Sequence, residues 1–357
     1  MLFVELKYDR GIIIGNNGQK LFLDPETSKI PIKSTSVISH SHSDHTAGLA
    51  SDAKSYSTEG TERIYYSLSP KSLRNNRTID FNEIFEINGV EVELFPAGHL
   101  LGAAQALVKV DDVNILFTGD FCPEQLLTVQ AAQFPKDEVD VLIIETTYGT
   151  PSVKFRSRSE NRMNILNWVM QTLGHNSIPI LNVAHLGGAQ ELIRLFNQLT
   201  EIPIYVHPKI EKISSIYRNY GIDLQYHPIS DWKGSESALV LLPRNEKNVP
   251  PSIAEFAHRR GIVTGQSAKF GYRNFEFSAP LTTHATYTEL LNTISSLSPK
   301  LVITRYSYEQ QFAKLVREKL GISAMASQDL KHSPIDLHKL EDLQPSSKNT
   351  SLLQFLD

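Results

Sequence analysis

The first 150 residues alternate short apolar runs with polar breaks. "GIIIG", "KLFLD", "SVISH", "VEVELFPAG", "AQALVKV", "VNILFTGD" and "VDVLIIETT" are rich in β-branched and apolar residues and are bordered by Gly, Asn or Asp, which predicts a series of strands. Several of these runs stop at or just before a polar residue: Asp24, His40, His99, Asp120 and Glu145. From about residue 151 the pattern changes. "SENRMNILNWVMQTL" and "GGAQELIRLFNQL" carry helical apolar spacing and alternate with "IPILNV" and "IPIYVH", the signature of a parallel α/β unit. "GIVTG" resumes the short-strand texture, "HATYTELLNTISSL" predicts a helix and "KLVITRY" a strand, consistent with a return to the first unit. The expected domains are therefore 1–150, an insertion over 151–262, a return segment over 263–330, and a polar, Pro/Ser-containing tail over 331–357.

Composition narrows the classes of function. Among 357 residues, 41% are hydrophobic and 21% charged, as in an ordinary globular protein. The net charge of −4 excludes a generally basic nucleic-acid binder, so any such contact needs a local basic groove. A single cysteine, Cys122, excludes a disulfide framework and a cysteine-rich metal site, and favours a reducing compartment. The apolar runs are too short to span a membrane and the N-terminus has no signal-like stretch, so a cytoplasmic location without membrane contact is expected.

The chemistry concentrates in "SHSHSDHTAG". His40 and His42 are two apart, so on extended backbone their rings point the same way, and Asp44 and His45 follow at the turn. Imidazole nitrogen and carboxylate oxygen are ligands for zinc, with manganese and iron as the other candidates. His99 in "PAGHLLGAAQ" would complete a three-histidine set, and Asp120 in "LFTGD" could bridge that ion to a second one held by Asp44 and His45. Isolated histidines such as His175, His227 and His258 have no such pattern around them.

"HSHSDH" resembles the HxHxDH signature of the metallo-β-lactamase superfamily. The resemblance implies an αββα sandwich with one or two metals at one edge, and places Asp24 of "FLDP" behind the ligands, orienting a histidine. "IIETTYGTP", with Glu145, is similar to the acidic motif after which β-CASP nucleases insert a cap domain. "GHLLGAAQ" and "FSAPLTTHATYTELL", with His284, resemble further motifs of that family. A carboxylate beside an imidazole suits His284 to act as a general acid, with Asp44, Asp120 and Glu145 completing the catalytic set. Near Tyr306 the RNA-processing branch (ribonuclease J-like or mRNA 3′-end-processing) has a last metal histidine, and this chain does not. One tight zinc and a weak or absent second ion are therefore expected. The nearest resemblance is to the ligase-associated DNA exonuclease and Artemis-like DNA-repair branch. A DNA exonuclease of repair or replication is the leading expectation, an RNA-processing nuclease the alternative, and a non-catalytic scaffold a third. A small-molecule hydrolase ranks last, because it has no use for Glu145, His284 and a cap.

Basic residues at Lys154, Arg156 and Arg158, and at Lys269 and Arg273, are candidates to grip phosphates. The family's cap arginine is replaced by Gly188, with Arg194 or His185 as candidate substitutes. At the C-terminus, Leu352, Phe355 and Leu356 have the i, i+3, i+4 spacing of a one-turn apolar face and resemble a degenerate sliding-clamp-binding box.

Overall fold

A computed structural model of the chain describes residues 4–234 and 237–343. Residues Leu352, Phe355 and Leu356 lie outside the described residues.

Two sheets of seven strands face each other. The first runs in the order Ile335–Asp336, Val4–Tyr8, Ile12–Asn16, Gln19–Leu23, Thr35–Val37, Lys54–Ser57, Asn76–Thr78. The second runs Ser323–Ala326, Leu301–Arg305, Val141–Glu145, Val113–Phe117, Ala104–Val110, Val90–Pro96, Ile84–Ile87. Their facing side chains, among them Leu6, Ile14, Leu23, Val92, Phe117 and Ile143, form one buried cluster. Each such aliphatic side chain contributes about 1.5–3 kcal/mol on burial, which beats the order of 1 kcal/mol lost in ordering it. The strand Val141–Glu145 is buried at every position and pairs in parallel on both sides. An unbroken apolar run is what a strand covered on both faces requires.

The third sheet, of six strands, is parallel throughout: His227–Pro228, Ile204–Val206, Leu239–Pro243, Ile178–Val183, His258–Val263, Phe277–Ala279. The helices Arg158–Gly174, Gly188–Leu199 and Pro208–Asn219 turn Ile165, Leu192, Phe196 and Ile213 into its core. The first of these helices starts where the sequence signals it. Ser157 accepts a hydrogen bond from Glu160 N–H while the Glu160 carboxylate accepts from Ser157 N–H, a reciprocal cap.

Two expectations about the chain's course differ from the structure. "GIVTG" does not return to the first unit: Gly261–Val263 pair with Leu181–Val183, and the third sheet continues to Ala279. A buried parallel strand reads as the same apolar run whichever sheet it joins, so periodicity could not choose. The stretch expected as a tail also contributes structure. Ile335–Asp336 is an edge strand of the first sheet, and Ile335, Leu337 and Leu340 are buried against it.

Among the described residues no helix is long and apolar enough to cross a membrane.

Candidate active site

The polar residues that ended the apolar runs converge on one edge of the sandwich. His40 follows the strand Thr35–Val37, His99 follows Val90–Pro96, Asp120 follows Val113–Phe117, and Glu145 closes its own strand. Gly119 makes the turn before Asp120 feasible. Its φ is +53°, and a Cβ there would meet Ser39 Cβ at 2.5 Å.

Three imidazole nitrogens and a carboxylate oxygen face a common point. His40 Nε2 is 3.1 Å from His42 Nδ1, which is 3.1 Å from His99 Nε2. Asp120 Oδ2 is 3.4 Å from His40 Nε2 and 3.8 Å from His99 Nε2. A tetrahedron whose centre-to-corner distance is about 2.0–2.1 Å has edges of about 3.3–3.4 Å, so these donors stand close to the corners of a zinc site. Burial drives the pKa values of His42 and His99 well below the ordinary range, leaving neutral rings that can offer nitrogen lone pairs to a cation. The donor set therefore fits a divalent ion, and three imidazoles favour zinc over harder, oxygen-seeking ions.

The opposite nitrogens explain why the rings point this way. His99 Nδ1 lies 3.0 Å from Thr283 C=O and so carries the proton, leaving Nε2 as an acceptor. His40 Nδ1 lies 2.9 Å from Ser39 Oγ, which donates in turn to Asp24 Oδ2 at 2.5 Å. Asp24 also accepts from Ser39 N–H and sits 2.6 Å from His45 Nδ1. One buried carboxylate thus orients two histidines. Thr283 and Ser39 escaped the sequence reading, because a hydroxyl or carbonyl that positions a ligand has no signature of its own.

His45 Nε2 points at Asp120 Oδ2, 3.5 Å away, with the exposed Asp44 carboxylate at 3.7 Å. Burial opposes a charge on His45, but Asp120 and Asp24 outweigh it and raise its pKa to about 9. Tyr306, held at φ +77° with its N–H donating to Glu309, brings its hydroxyl to 3.2 Å from His45 Nδ1. Beneath it lies the fully buried Arg305, which donates from Nη2 to Asp24 C=O. Sequence patterning gave no sign of Arg305, since it ends an apolar strand run.

Asp120 also faces a second pair. Its Oδ2 is 3.8 Å from His284 Nδ1, which lies 3.0 Å from Glu145 Oε2. Glu145 is buried and accepts from Phe121 N–H at 2.8 Å. Burial disfavours a charge on His284, but Glu145 and Asp120 together raise its pKa to about 9, so the ring is an imidazolium at neutral pH.

The basic candidates divide. Lys154 and Arg156 are exposed on the segment leading to the helix Arg158–Gly174, and Lys269 and Arg273 are exposed on the loop between the last two strands of the third sheet. Arg158 cannot grip substrate. It is buried, pairs with Glu124 and with Glu289 (2.6 Å), and donates from Nη2 to His284 C=O at 3.0 Å. Its position was legible: 158, 161, 165, 168, 169 and 172 form the buried stripe of that helix. Arg194 is committed to Asp223, whereas His185 is pushed down in pKa by burial and by Lys209, His207 and Arg244. His185, His207 and Arg244 follow three strands at the carboxyl edge of the cap sheet, and Lys209 and Arg244 are the cations there.

Stacked sheets carrying histidines and aspartates at one edge define a metallo-β-lactamase fold, here with an additional parallel α/β sheet. No family model matches the chain. It is 28% identical over 296 residues to a "Probable DNA ligase" of Opitutus terrae, covering 82% of this chain and 28% of that protein. It is 30% identical over 236 residues to cleavage and polyadenylation specificity factor subunit 3 of Dictyostelium discoideum, covering 56% of this chain and 30% of that one. The Endoribonuclease YSH1 of Yarrowia lipolytica is 31% identical over 210 residues, 51% of this chain and 25% of its own length. The chain thus spans less than a third of each of these relatives. Among solved structures, a protein of unknown function from Enterococcus faecalis V583 matches with a TM-score of 0.58 at 12% identity, over 85% of this chain and 94% of that one. In fold, site and relatives the chain resembles the β-CASP family of the metallo-β-lactamase superfamily.

Proposed function

We propose that the protein is a metal-dependent nuclease that hydrolyses phosphodiester bonds, acting on DNA from an end. The observation that carries this reading is that Asp120 joins two sites, with Oδ2 3.4 Å from His40 Nε2 and 3.8 Å from His284 Nδ1. A diester phosphate bound there meets the ligand set on one side and an imidazolium on the other.

His40, His42, His99 and Asp120 would hold a zinc ion; Asp44 and His45, with Asp120, would hold a second and weaker one. Such an ion supplies Lewis acidity toward a phosphoryl oxygen and makes water acidic enough to attack at neutral pH. The remaining work belongs to the chain. Asp24 locks two histidines in place, and Glu145 fixes His284 by its Nδ1, leaving Nε2 for the leaving oxygen. Glu145 beside its Nδ1 raises the His284 pKa against burial, so the ring carries the proton that the departing alkoxide needs. The cap's Lys209 and Arg244, with Lys154, Arg156, Lys269 and Arg273, offer the local positive surface that a chain of net charge −4 needs to hold a polyanion.

DNA is favoured because Tyr306 stands against His45 where the RNA-processing branch has a histidine, and because the relative aligned over most of this chain is named as a DNA ligase. An RNA-processing nuclease is the second reading, supported by the relatives named as endoribonuclease and polyadenylation factor. The test is digestion of matched single strands of DNA and RNA, labelled at either end, with added zinc or manganese and Asp120→Ala alongside. Shortening of DNA from one end is expected. Cutting of RNA alone would replace the first reading by the second. No cutting of either by a zinc-loaded protein would leave a scaffold.

A further inference from the structure

The loop between the strands His258–Val263 and Phe277–Ala279 reads "TGQSAKFGYRNFE", with aromatic and cationic side chains interleaved. It starts at the active site. A Cβ on Gly265 would overlap the Tyr148 hydroxyl, and the Tyr148 ring stands edge-on to His284 with centroids 5.9 Å apart. Four residues on, Lys269 reaches across to the other side of the site mouth. Its ammonium donates to the Tyr308 hydroxyl and lies 4.9 Å from the centre of the Tyr308 ring and 5.0 Å from that of Phe270. Tyr308 is two residues beyond Tyr306, whose hydroxyl is 3.2 Å from His45 Nδ1. Both ends of this bridge are therefore anchored within a few residues of the metal-binding edge, a reach of roughly 4 Å per residue at most.

Phe270 is 51% exposed, one residue beyond Lys269. The other rings of the loop are engaged: Phe275 lies under Arg260 (5.4 Å), and Tyr272 meets Phe275 edge-on. Phe270 has Lys269 near its ring, and half of its surface faces solvent. An exposed aromatic face with an ammonium beside it matches the two groups of a nucleotide, a flat base and an anionic phosphate. Arg273 adds a further exposed cation on the same loop.

We infer that Phe270, backed by Lys269 and Tyr308, is a stacking platform for an unpaired base next to the scissile phosphate, and that it makes the enzyme prefer single-stranded nucleic acid. The inference rests on the nuclease reading of the site and deepens it by naming the form of the substrate. A paired base keeps both faces inside the duplex, so only a single strand or a frayed end can engage the platform. Stacking does not read the sugar, so the platform serves DNA and RNA alike.

The test measures binding in chelator, where nothing is cut, of fluorescein-labelled single-stranded DNA, single-stranded RNA and a blunt DNA duplex to wild type, Phe270→Ala and Phe270→Trp. Phe270 is on the surface, so neither variant disturbs the core. Loss of at least about fivefold in single-strand affinity with alanine, recovery with tryptophan, and an unchanged duplex affinity are expected. Single-strand affinity unchanged within twofold, or an equal loss on the duplex, would overturn the platform. Hydrolysis of bis(p-nitrophenyl) phosphate with zinc or manganese, measured on the wild type alone, tests the nuclease reading separately. Absence of that hydrolysis in wild type would count against the nuclease reading alone, since the binding comparison does not depend on cutting.

Discussion

Asp120 and His284 stand 3.8 Å apart, yet their removal should fail in different ways. Asp120 would be the oxygen donor of the proposed metal set, so Asp120→Ala should lose both zinc and turnover. His284 donates nothing to that set. His284→Ala should keep its zinc, measured by inductively coupled plasma mass spectrometry, while hydrolysis slows by about 10²–10⁴-fold, the range for a lost general acid. Loss of zinc in that variant would instead make His284 a ligand, and undiminished turnover would move the proton elsewhere. The structure brings together the residues that the sequence singled out for metal: His40, His42, His99 and Asp120 meet at 3.1–3.8 Å. They were legible because histidine and aspartate at strand ends are costly unless used, and a short spacing concentrates them. Ser39, Thr283 and Arg305 were not legible. Their part lies in where a hydroxyl, a carbonyl or a buried guanidinium ends up in space, which only tertiary packing decides.

At the scale of elements, the helix Arg158–Gly174 does more than cover the cap sheet. Its first residue ties together three segments: the loop carrying Glu124, the loop carrying His284, and the capped helix Tyr287–Leu297 through Glu289. Burial works against the Arg158 charge, but the Glu289 carboxylate outweighs it and raises its pKa. Deleting one partner of such a buried pair leaves a carboxylate without its counter-charge and three segments untied. Arg158→Ala should destabilise the protein, by less than the roughly 3–5 kcal/mol of a fully buried pair because Glu124 and Glu289 reach solvent, read by chemical denaturation. It should also lower turnover without changing zinc content, because the freed backbone is that of His284. A variant as stable as wild type would show that Glu124 and Glu289 find water instead. The helix itself was readable from its spacing and from "SRSE", whereas the loyalty of Gly261–Val263 to the third sheet was not. Strand identity follows from pattern; strand partnership follows from the competition among all strands for the same edges.

For the molecule as a whole, the site is where sandwich and cap are joined, which links metal binding to overall stability. His40, His42 and His45 come from the first sheet's side, Asp120 and Glu145 from the second, and His99 is oriented by Thr283 from the segment that leaves the cap. His42 Nδ1 lies 3.1 Å from both His40 Nε2 and His99 Nε2, a spacing that the unfolded chain does not keep. An ion that binds only the folded form adds RT ln(1 + [L]/Kd), about 2.7 kcal/mol at a hundredfold excess over Kd. Zinc should therefore raise the thermal midpoint of the wild type by several degrees, and chelator should reverse the rise. A protein lacking His40, His42 and His99 together should show neither response. Should zinc stabilise that triple variant as much as the wild type, the ion would bind elsewhere. The three histidines would then be held together by the packing of two sheets and a cap alone.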